Sequence, residues 1–137
     1  MKVAKIIVAG GRDFDNYDYM EECLDNFLFD EIKAKHGPDK IELICGMAVG
    51  ADFLAIKYAV KHNIDIVPFE PKFWQYGERA GEVRNHDMAS YASESDIPYL
   101  VSFWDGKSRG TKNMIDRATT YGIPYMIFKY EKNDVEA

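Results

Sequence analysis

The chain has 137 residues, 47% of them hydrophobic, which is enough for one domain with its own core. Its formal net charge of −6 argues against a sequence-independent binder of nucleic acid polymers, because such proteins need clustered Lys and Arg. No charged-then-apolar leader precedes the first strand, and no apolar run approaches the roughly 18 residues of a membrane span. We therefore expect a cytoplasmic protein without membrane contact.

Apolar runs alternate with amphipathic segments, which is typical of β–α–β units and a parallel sheet. Gly37 and Pro38 end the first helix. Right-handed crossovers allow only a few strand orders, of which we choose 3-2-1-4-5. We predict an α/β, Rossmann-like three-layer sandwich with a mainly parallel five-stranded sheet, as one domain over residues 1–130 with a polar tail over 131–137. In chain order, the predicted elements are strand 3–9, helix 17–35, strand 41–45, helix 51–62, strand 64–69, helix 79–93, strand 99–104, helix 111–121 and strand 124–128.

The cysteines and histidines form no recognisable metal or redox pattern. Cys23 and Cys45 lie in apolar segments, as buried free thiols do. His36, His62 and His86 lack the spacing of metal ligands. We therefore expect no metal site and no cofactor.

The loop after the first strand reads Gly10-Gly11-Arg12-Asp13. The predicted strand order places a crevice between strands one and four, where open α/β sheets bind ligands. Two glycines permit a tight turn with backbone amides facing a ligand, and Arg12 offers a planar fork suited to phosphate. The alternative is a simple turn with a solvated Arg-Asp pair. The dinucleotide fingerprint is not matched, because its third glycine is absent.

The loop after the second strand opens a helix with small residues: Gly46, Ala48, Gly50 and Ala51. Such residues let the positive end of a helix approach an anion closely. Asp52 follows them, placed either to cap the helix or to bind a ribose hydroxyl. Packing alone is the alternative explanation of the small residues.

An aromatic cluster that includes Trp74 follows the third strand. Its rings are suited to stacking on a base; the alternatives are a hydrophobic cover for the sheet or a contact with another subunit. The next helix carries Arg79 and Arg84 near its start, where cations are unfavourable unless an anion or carboxylate meets them. Arg84 and Met88 are four residues apart and share a face. These arginines are therefore predicted ligand groups.

The loop after the fourth strand, from Asp105 to Thr111, is rich in Gly and Ser and ends at a helix N-terminus, which favours a second anion cradle. Its match to the nucleophile elbow G-x-S-x-G fails, because the catalytic histidine of that motif lies downstream and the last histidine is His86. A Walker A loop is excluded because its first glycine is missing.

These loops together resemble the YspA-like (YpsA-related) branch of the SLOG superfamily, known from bacteria and phages. The resemblance covers essentially the whole chain and implies a Rossmann-like fold that binds nucleotides or nucleotide-derived ligands. The matching motifs are Gly11-Arg12-Asp13-Phe14, Gly46-x-Ala48-x-Gly50-Ala51-Asp52, Pro71-x-x-Trp74, Ala80-Gly81-x-x-Arg84-Asn85-x-x-Met88 and Asp105-Gly106-x-Ser108-x-Gly110-Thr111.

The best-known SLOG enzymes, the Lonely Guy phosphoribohydrolases, cleave the N-glycosidic bond of nucleoside monophosphates. Arg84 and Met88 match their Arg-x-x-x-Met motif. Gly110-Thr111 match the Gly-Thr core of their loop-helix motif, P-G-G-x-G-T-x-x-E. The glutamate expected three residues later is Met114 here, and a thioether cannot stabilise an oxocarbenium-like transition state. The catalytic candidates are therefore Arg84, Glu82 and Asp105, with Asp13 and Asp52 as further carboxylates.

We expect a nucleotide-binding or sensing domain that takes a nucleotide or phosphorylated small molecule and forms homodimers, as family relatives often do. The alternative is a phosphoribohydrolase-like enzyme; a dinucleotide-dependent oxidoreductase and a partner-binding domain remain open. The predicted ligand-binding residues are Gly10, Gly11, Arg12, Asp13, Gly46, Ala48, Gly50, Ala51, Asp52, Trp74, Arg79, Arg84, Asn85, Asp105, Gly106, Ser108, Gly110 and Thr111.

Overall fold

The structure, a computed structural model, describes residues 1–131. Its five strands form one sheet in the order β3-β2-β1-β4-β5, with every neighbouring pair parallel. This confirms the predicted strand order and the α/β Rossmann-like fold. Residues 132–137 of the predicted tail lie outside the described residues. The strands are β1 Val3–Gly10, β2 Lys40–Cys45, β3 Asp65–Pro68, β4 Ile97–Trp104 and β5 Tyr125–Lys129.

The helices follow the predicted pattern with two differences. The segment predicted as one helix over 17–35 contains a π-helical stretch, Asn26–Ile32, whose longer hydrogen-bonded turns change the helical period without moving Phe27 and Leu28 out of the core. Residues 73–78, predicted as loop, and Arg79, the predicted first residue of the next helix, form two short helical turns, the second being the 3₁₀ turn Gly77–Arg79. The α-helices are α1 Tyr17–Asp25, α2 Lys33–His36, α3 Ala51–Lys61, α4 Phe73–Tyr76, α5 Ala80–Ala92 and α6 Arg109–Thr120.

The sheet separates two hydrophobic layers, because successive strand side chains point to opposite faces. Ile6 and Val8 of β1 pack on the side of α1 and α3. Ile7 and Ala9 pack on the side of α5 and α6. Burying a branched side chain of this kind contributes about 1.5–3 kcal/mol, so the alternation along β1 holds a helix layer on each face. The three-layer arrangement follows from this.

Both cysteines are buried and free, as expected from their apolar surroundings. Burial raises the pKa of the Cys45 thiol to about 12, so it remains protonated at neutral pH. Over residues 1–131, no helix combines the length and the apolar character needed to cross a lipid bilayer.

The loops after β1 and β2 are held in direct contact. The Ala51 N–H donates a hydrogen bond to the Gly11 carbonyl oxygen over 3.1 Å. Gly50 has a φ of +85°, and a Cβ there would collide with the backbone of Gly11 and Arg12. Only glycine fits this position, because it accepts the left-handed conformation and has no side chain to separate the loops. The start of α3 is thereby placed beside the first loop.

Candidate functional site

A cleft of about 920 Å³ lies at the carboxyl ends of the strands. It is located where β1 and β4 are neighbours and their following helices lie on opposite faces of the sheet, the expected crevice of a parallel α/β fold. The predicted ligand residues that line it are Gly10, Gly11, Arg12, Asp13, Ala48, Asp52, Arg84, Asn85, Asp105, Ser108, Gly110 and Thr111.

Several predicted residues lie outside this lining. Trp74 is 83% exposed, and its neighbour Phe73 lines the cleft instead. Sequence alone could not choose between them, because the short helix α4 decides which ring faces the cleft. Within residues 1–131, the other predicted residues that do not line it are Gly46, Gly50, Ala51, Arg79, Glu82 and Gly106.

Arg84 projects from α5 and is held by the protein at two of its nitrogens. Its Nε donates to the side-chain oxygen of Asn85 over 3.0 Å, and its Nη1 donates to the Gly46 carbonyl oxygen. Burial lowers the pKa of Arg84, the negative charge of Asp52 opposes this shift, and the positive charge of Arg12 adds to it. The positive charge of Arg12 therefore acts on Arg84, and both residues line the same cleft.

Asn85 is 4% exposed and joins α5 to α6. Its Nδ2 donates to Asn113 Oδ1 over 2.9 Å and to the Gly110 carbonyl over 3.4 Å, while its oxygen accepts from Arg84. The amide is thus engaged on both sides within the protein. Because the Asn85 side chain donates to α6 and accepts from Arg84, it fixes the orientation of the Arg84 guanidinium.

Asp52 is 6% exposed and lines the cleft at the start of α3. Its Oδ2 accepts a hydrogen bond from the Ala48 N–H over 3.1 Å. Burial raises its pKa to about 6, although the Ala48 hydrogen bond and the Arg84 charge both favour the ionised form. An acid with such a pKa exchanges a proton near neutral pH, which suits it to acid-base work or to binding hydroxyl groups.

The loop after β4 is stabilised by its own side chains. Asp105 Oδ1 accepts from the backbone N–H groups of Lys107 and Ser108, each over 2.8 Å. Ser108 is the N-cap of α6, with its Oγ accepting from the Thr111 N–H over 3.5 Å. These three amides, expected as parts of an anion cradle, donate within the loop, because Asp and Ser form local turns and caps readily.

The segment after β5 packs against the first loop. The Tyr130 hydroxyl donates to Asp13 Oδ1, and its ring packs edge-on against Phe14 with centroids 4.9 Å apart. A Cβ at Gly11 would collide with the Tyr130 hydroxyl. Sequence analysis missed Tyr130 because nothing in its local pattern links it to a loop 117 residues earlier.

Part of the lining was not predicted as ligand-binding. Lys107 adds a positive charge, while Met47, Val49 and Phe73 form an apolar wall. Met47 has a positive φ of 63°, a strained backbone that no sequence pattern indicated. The remaining unpredicted lining residues are Ala9, Pro71, Glu78, Gly81, Met88 and Met114.

Met114 lies where the related phosphoribohydrolases would carry a glutamate. It is 1% exposed and packs with the apolar layer between the sheet, α5 and α6. The cleft has no carboxylate at this position. Any acidic group acting on a ligand comes from elsewhere in the lining, and Asp52 is the most buried of the candidates.

Comparison with known proteins identifies a sequence family and a solved structure of similar fold. The sequence model described as "YAcAr: YspA, cpYpsA-related SLOG family" matches residues 4–76. The X-ray structure of DNA processing protein A (DprA) from Streptococcus pneumoniae superposes with a TM-score of 0.68 at 16% identity. The alignment covers 96% of this chain and 54% of that one, so the chain spans about half the length of this relative. No curated protein matches the sequence.

Proposed function

The chain belongs to the YspA, cpYpsA-related SLOG family, whose membership suggests a nucleotide-related function, and from that premise we propose that it is a nucleotide-binding or sensing domain. The ligand is a nucleotide or a nucleotide-derived molecule. The convergence of Arg12 and Arg84 on one cleft carries the proposal. Two cations held close together repel each other, and an anionic phosphate group relieves that repulsion.

The cleft suits the three parts of a nucleotide. Arg84 and Arg12 hold the phosphate. Asp52 accepts hydrogen bonds from ribose hydroxyls. The base packs against the apolar wall formed by Phe73 and Val49, where it gains contact area on a ring face. A volume of about 920 Å³ is within the usual range of small-molecule sites.

A thermal-shift screen of nucleoside mono-, di- and triphosphates tests this function. A ligand at about 100 times its Kd stabilises the native state by about 2.7 kcal/mol. We expect at least one phosphorylated nucleoside to stabilise the wild type and Arg84→Ala to lose most of the response. Arg79→Ala is the matched control, because it removes the same charge from an exposed residue outside the cleft lining.

Equal stabilisation of the wild type and Arg84→Ala would exclude Arg84 as a ligand group. Loss of the response in Arg79→Ala alone would show that the ligand lies on a different surface. Arg84→Lys separates charge from shape, since Lys keeps the charge but lacks the planar fork.

A second candidate function, cleavage of an N-glycosidic bond in a nucleoside monophosphate, is favoured by the buried carboxyl of Asp52. In this proposal Arg84 holds the phosphate, and Asp52 stabilises the oxocarbenium-like transition state or takes a proton from the attacking water. Release of free base from a panel of nucleoside monophosphates tests it. Asp52→Asn is expected to abolish turnover while retaining binding; turnover that survives this variant assigns the acid to another carboxylate of the lining, Asp13, Glu78 or Asp105.

We further propose that residues 1–130 form one domain and that it lies in the cytoplasm. The domain acts on a small molecule and not on a nucleic acid polymer, in line with the net charge of −6. The DNA processing named for the DprA relative belongs to that protein. A single-stranded oligonucleotide in the same screen provides the test: stabilisation by the oligonucleotide but by no mononucleotide would reverse the assignment. Light scattering tests the proposed homodimer.

A further inference from the structure

A second cluster of polar side chains joins α1 to the end of α3. Glu21 and Asp25 are one helical turn apart on α1, and His62 follows the last turn of α3. One ligand atom from each residue lies within 4.8 Å of the other two. The His62 Nε2 is 2.9 Å from Glu21 Oε2 and 3.8 Å from Asp25 Oδ1.

We propose that Glu21, Asp25 and His62 form a binding site for a divalent transition-metal ion, with Zn²⁺ as the best match. Ligand atoms at about 2.0–2.2 Å from a tetrahedral zinc are roughly 3.3–3.5 Å apart. The two distances from His62 bracket that separation. One imidazole nitrogen and two carboxylate oxygens suit zinc, and three protein ligands leave a fourth position for water.

Tyr58 contacts two of the three ligands, His62 and Asp25, and holds them in position. It is fully buried, its ring stacks on the His62 ring with centroids 4.2 Å apart, and its hydroxyl donates to Asp25 Oδ1 over 2.7 Å. An outer residue that orients metal ligands in this way lowers the conformational entropy lost on binding. A surface ion-pair network would not require this support from a buried residue.

Lys61 is the cation that a metal ion must displace from Glu21, whose Oε2 also accepts a longer hydrogen bond from the Tyr17 hydroxyl over 3.4 Å. Its Nζ lies 2.8 Å from Glu21 Oε2, and its side chain is 57% exposed. Exposed ion pairs of this kind contribute little to stability, so Lys61 can move into solvent at small cost. The ion also replaces the proton that His62 shares with Glu21, as metal ligation by histidine requires.

The cluster is distinct from the nucleotide cleft. Asp52 lies at the start of α3 and His62 follows its end, so about ten residues at 1.5 Å each separate them by roughly 15 Å. The sequence expectation of no metal site was based on local spacing, whereas Glu21 and His62 are 41 residues apart. Only the packing of α1 on α3 brings them together.

Titration of the tag-free protein with Zn²⁺ in a calorimeter tests the site. We expect one zinc ion per chain in the wild type. His62→Ala should weaken binding by more than about 100-fold, and Tyr58→Phe by about 10-fold, since loss of an outer partner alone typically costs 10–100-fold. Lys61→Ala should bind more tightly, because the competing ammonium is gone.

His86→Ala is the matched control, because His86 is an exposed histidine that pairs with Tyr121 on the other layer of the fold. Asp25→Asn, which keeps an oxygen for the Tyr58 hydroxyl, replaces His62→Ala if that variant fails to fold by circular dichroism. No zinc binding by the wild type, or binding that survives the loss of His62 or Asp25, would overturn the proposal and leave an ion-pair cluster. Either outcome is independent of the nucleotide screen.

Discussion

The guanidinium of Arg84 lies against the backbone of Gly46, 38 residues earlier in the chain, and donates a hydrogen bond to its carbonyl oxygen. A Cβ at position 46 would be 2.7 Å from Arg84 Nη1 and 2.8 Å from Cζ. The absence of a side chain after β2 therefore decides where the cation of α5 can lie. This glycine serves the cleft by making room for an arginine.

Gly46→Ala is expected to displace the Arg84 guanidinium and to destabilise the protein by about 1–3 kcal/mol, as overpacking of a tight contact does. The stabilisation by nucleotide in the thermal-shift screen should fall in Gly46→Ala as it does in Arg84→Ala. Urea unfolding and the thermal-shift screen measure the two effects. Gly81→Ala is the comparison, because its new Cβ would be 3.9 Å from Arg84 Nη2, an ordinary contact; a Gly46→Ala protein as stable and responsive as Gly81→Ala would contradict the contact.

Asn85→Ala is expected to cost about 1–3 kcal/mol, because it leaves partly buried partners of the Asn85 amide without their hydrogen bonds. Arg84 retains its charge in this variant but loses its orientation. We expect a weaker nucleotide response even under conditions in which the variant is fully folded. A full response would reduce Asn85 to a purely structural link between α5 and α6.

Asp52→Asn is expected to change how stability depends on pH. The folded-state pKa of Asp52 is raised from 3.8 to about 6, so the folded protein holds the proton more tightly than the unfolded chain. The stabilisation that the folded protein gains from protonated Asp52 is complete below about pH 4 and is lost as the pH rises through about 6. At neutral pH the variant should be more stable than the wild type by up to about 3 kcal/mol.

Urea unfolding of both proteins between about pH 4 and pH 8 measures this difference. Asp116→Asn, at an exposed carboxylate paired with Lys112, serves as the control and should show no such change. Parallel pH profiles of the wild type and Asp52→Asn would mean that the carboxyl is well solvated in the cleft.

Ser108→Ala removes the N-cap of α6 and is expected to cost about 1 kcal/mol of unfolding free energy. Asn16→Ala removes the equivalent cap of α1, where Asn16 Oδ1 accepts from the Tyr19 N–H over 3.0 Å. The two variants should be destabilised alike in urea. Only Ser108→Ala should also weaken the nucleotide response, since Ser108 lines the cleft; equal responses would place the ligand away from α6.

Local pattern was sufficient for the fold and for the position of the cleft. Alternating apolar and amphipathic segments determined the element order, because each strand or helix must bury one face at its own period. The handedness of crossovers then left only a few strand orders, and the one chosen among them is the order observed. Of the predicted residues, Gly10, Gly11, Gly110 and Arg84 followed as lining residues, since the carboxyl ends of parallel strands meet at one edge.

Tertiary packing alone decided how these residues are used. Phe73 rather than Trp74 faces the cleft, Asp105 occupies amides that were expected to face an anion, and Tyr130 reaches back to Asp13. These pairings depend on the orientation of short segments and on contacts between distant parts of the chain. Sequence periodicity reports which face of a segment is buried, but only the three-dimensional arrangement determines which atoms then meet.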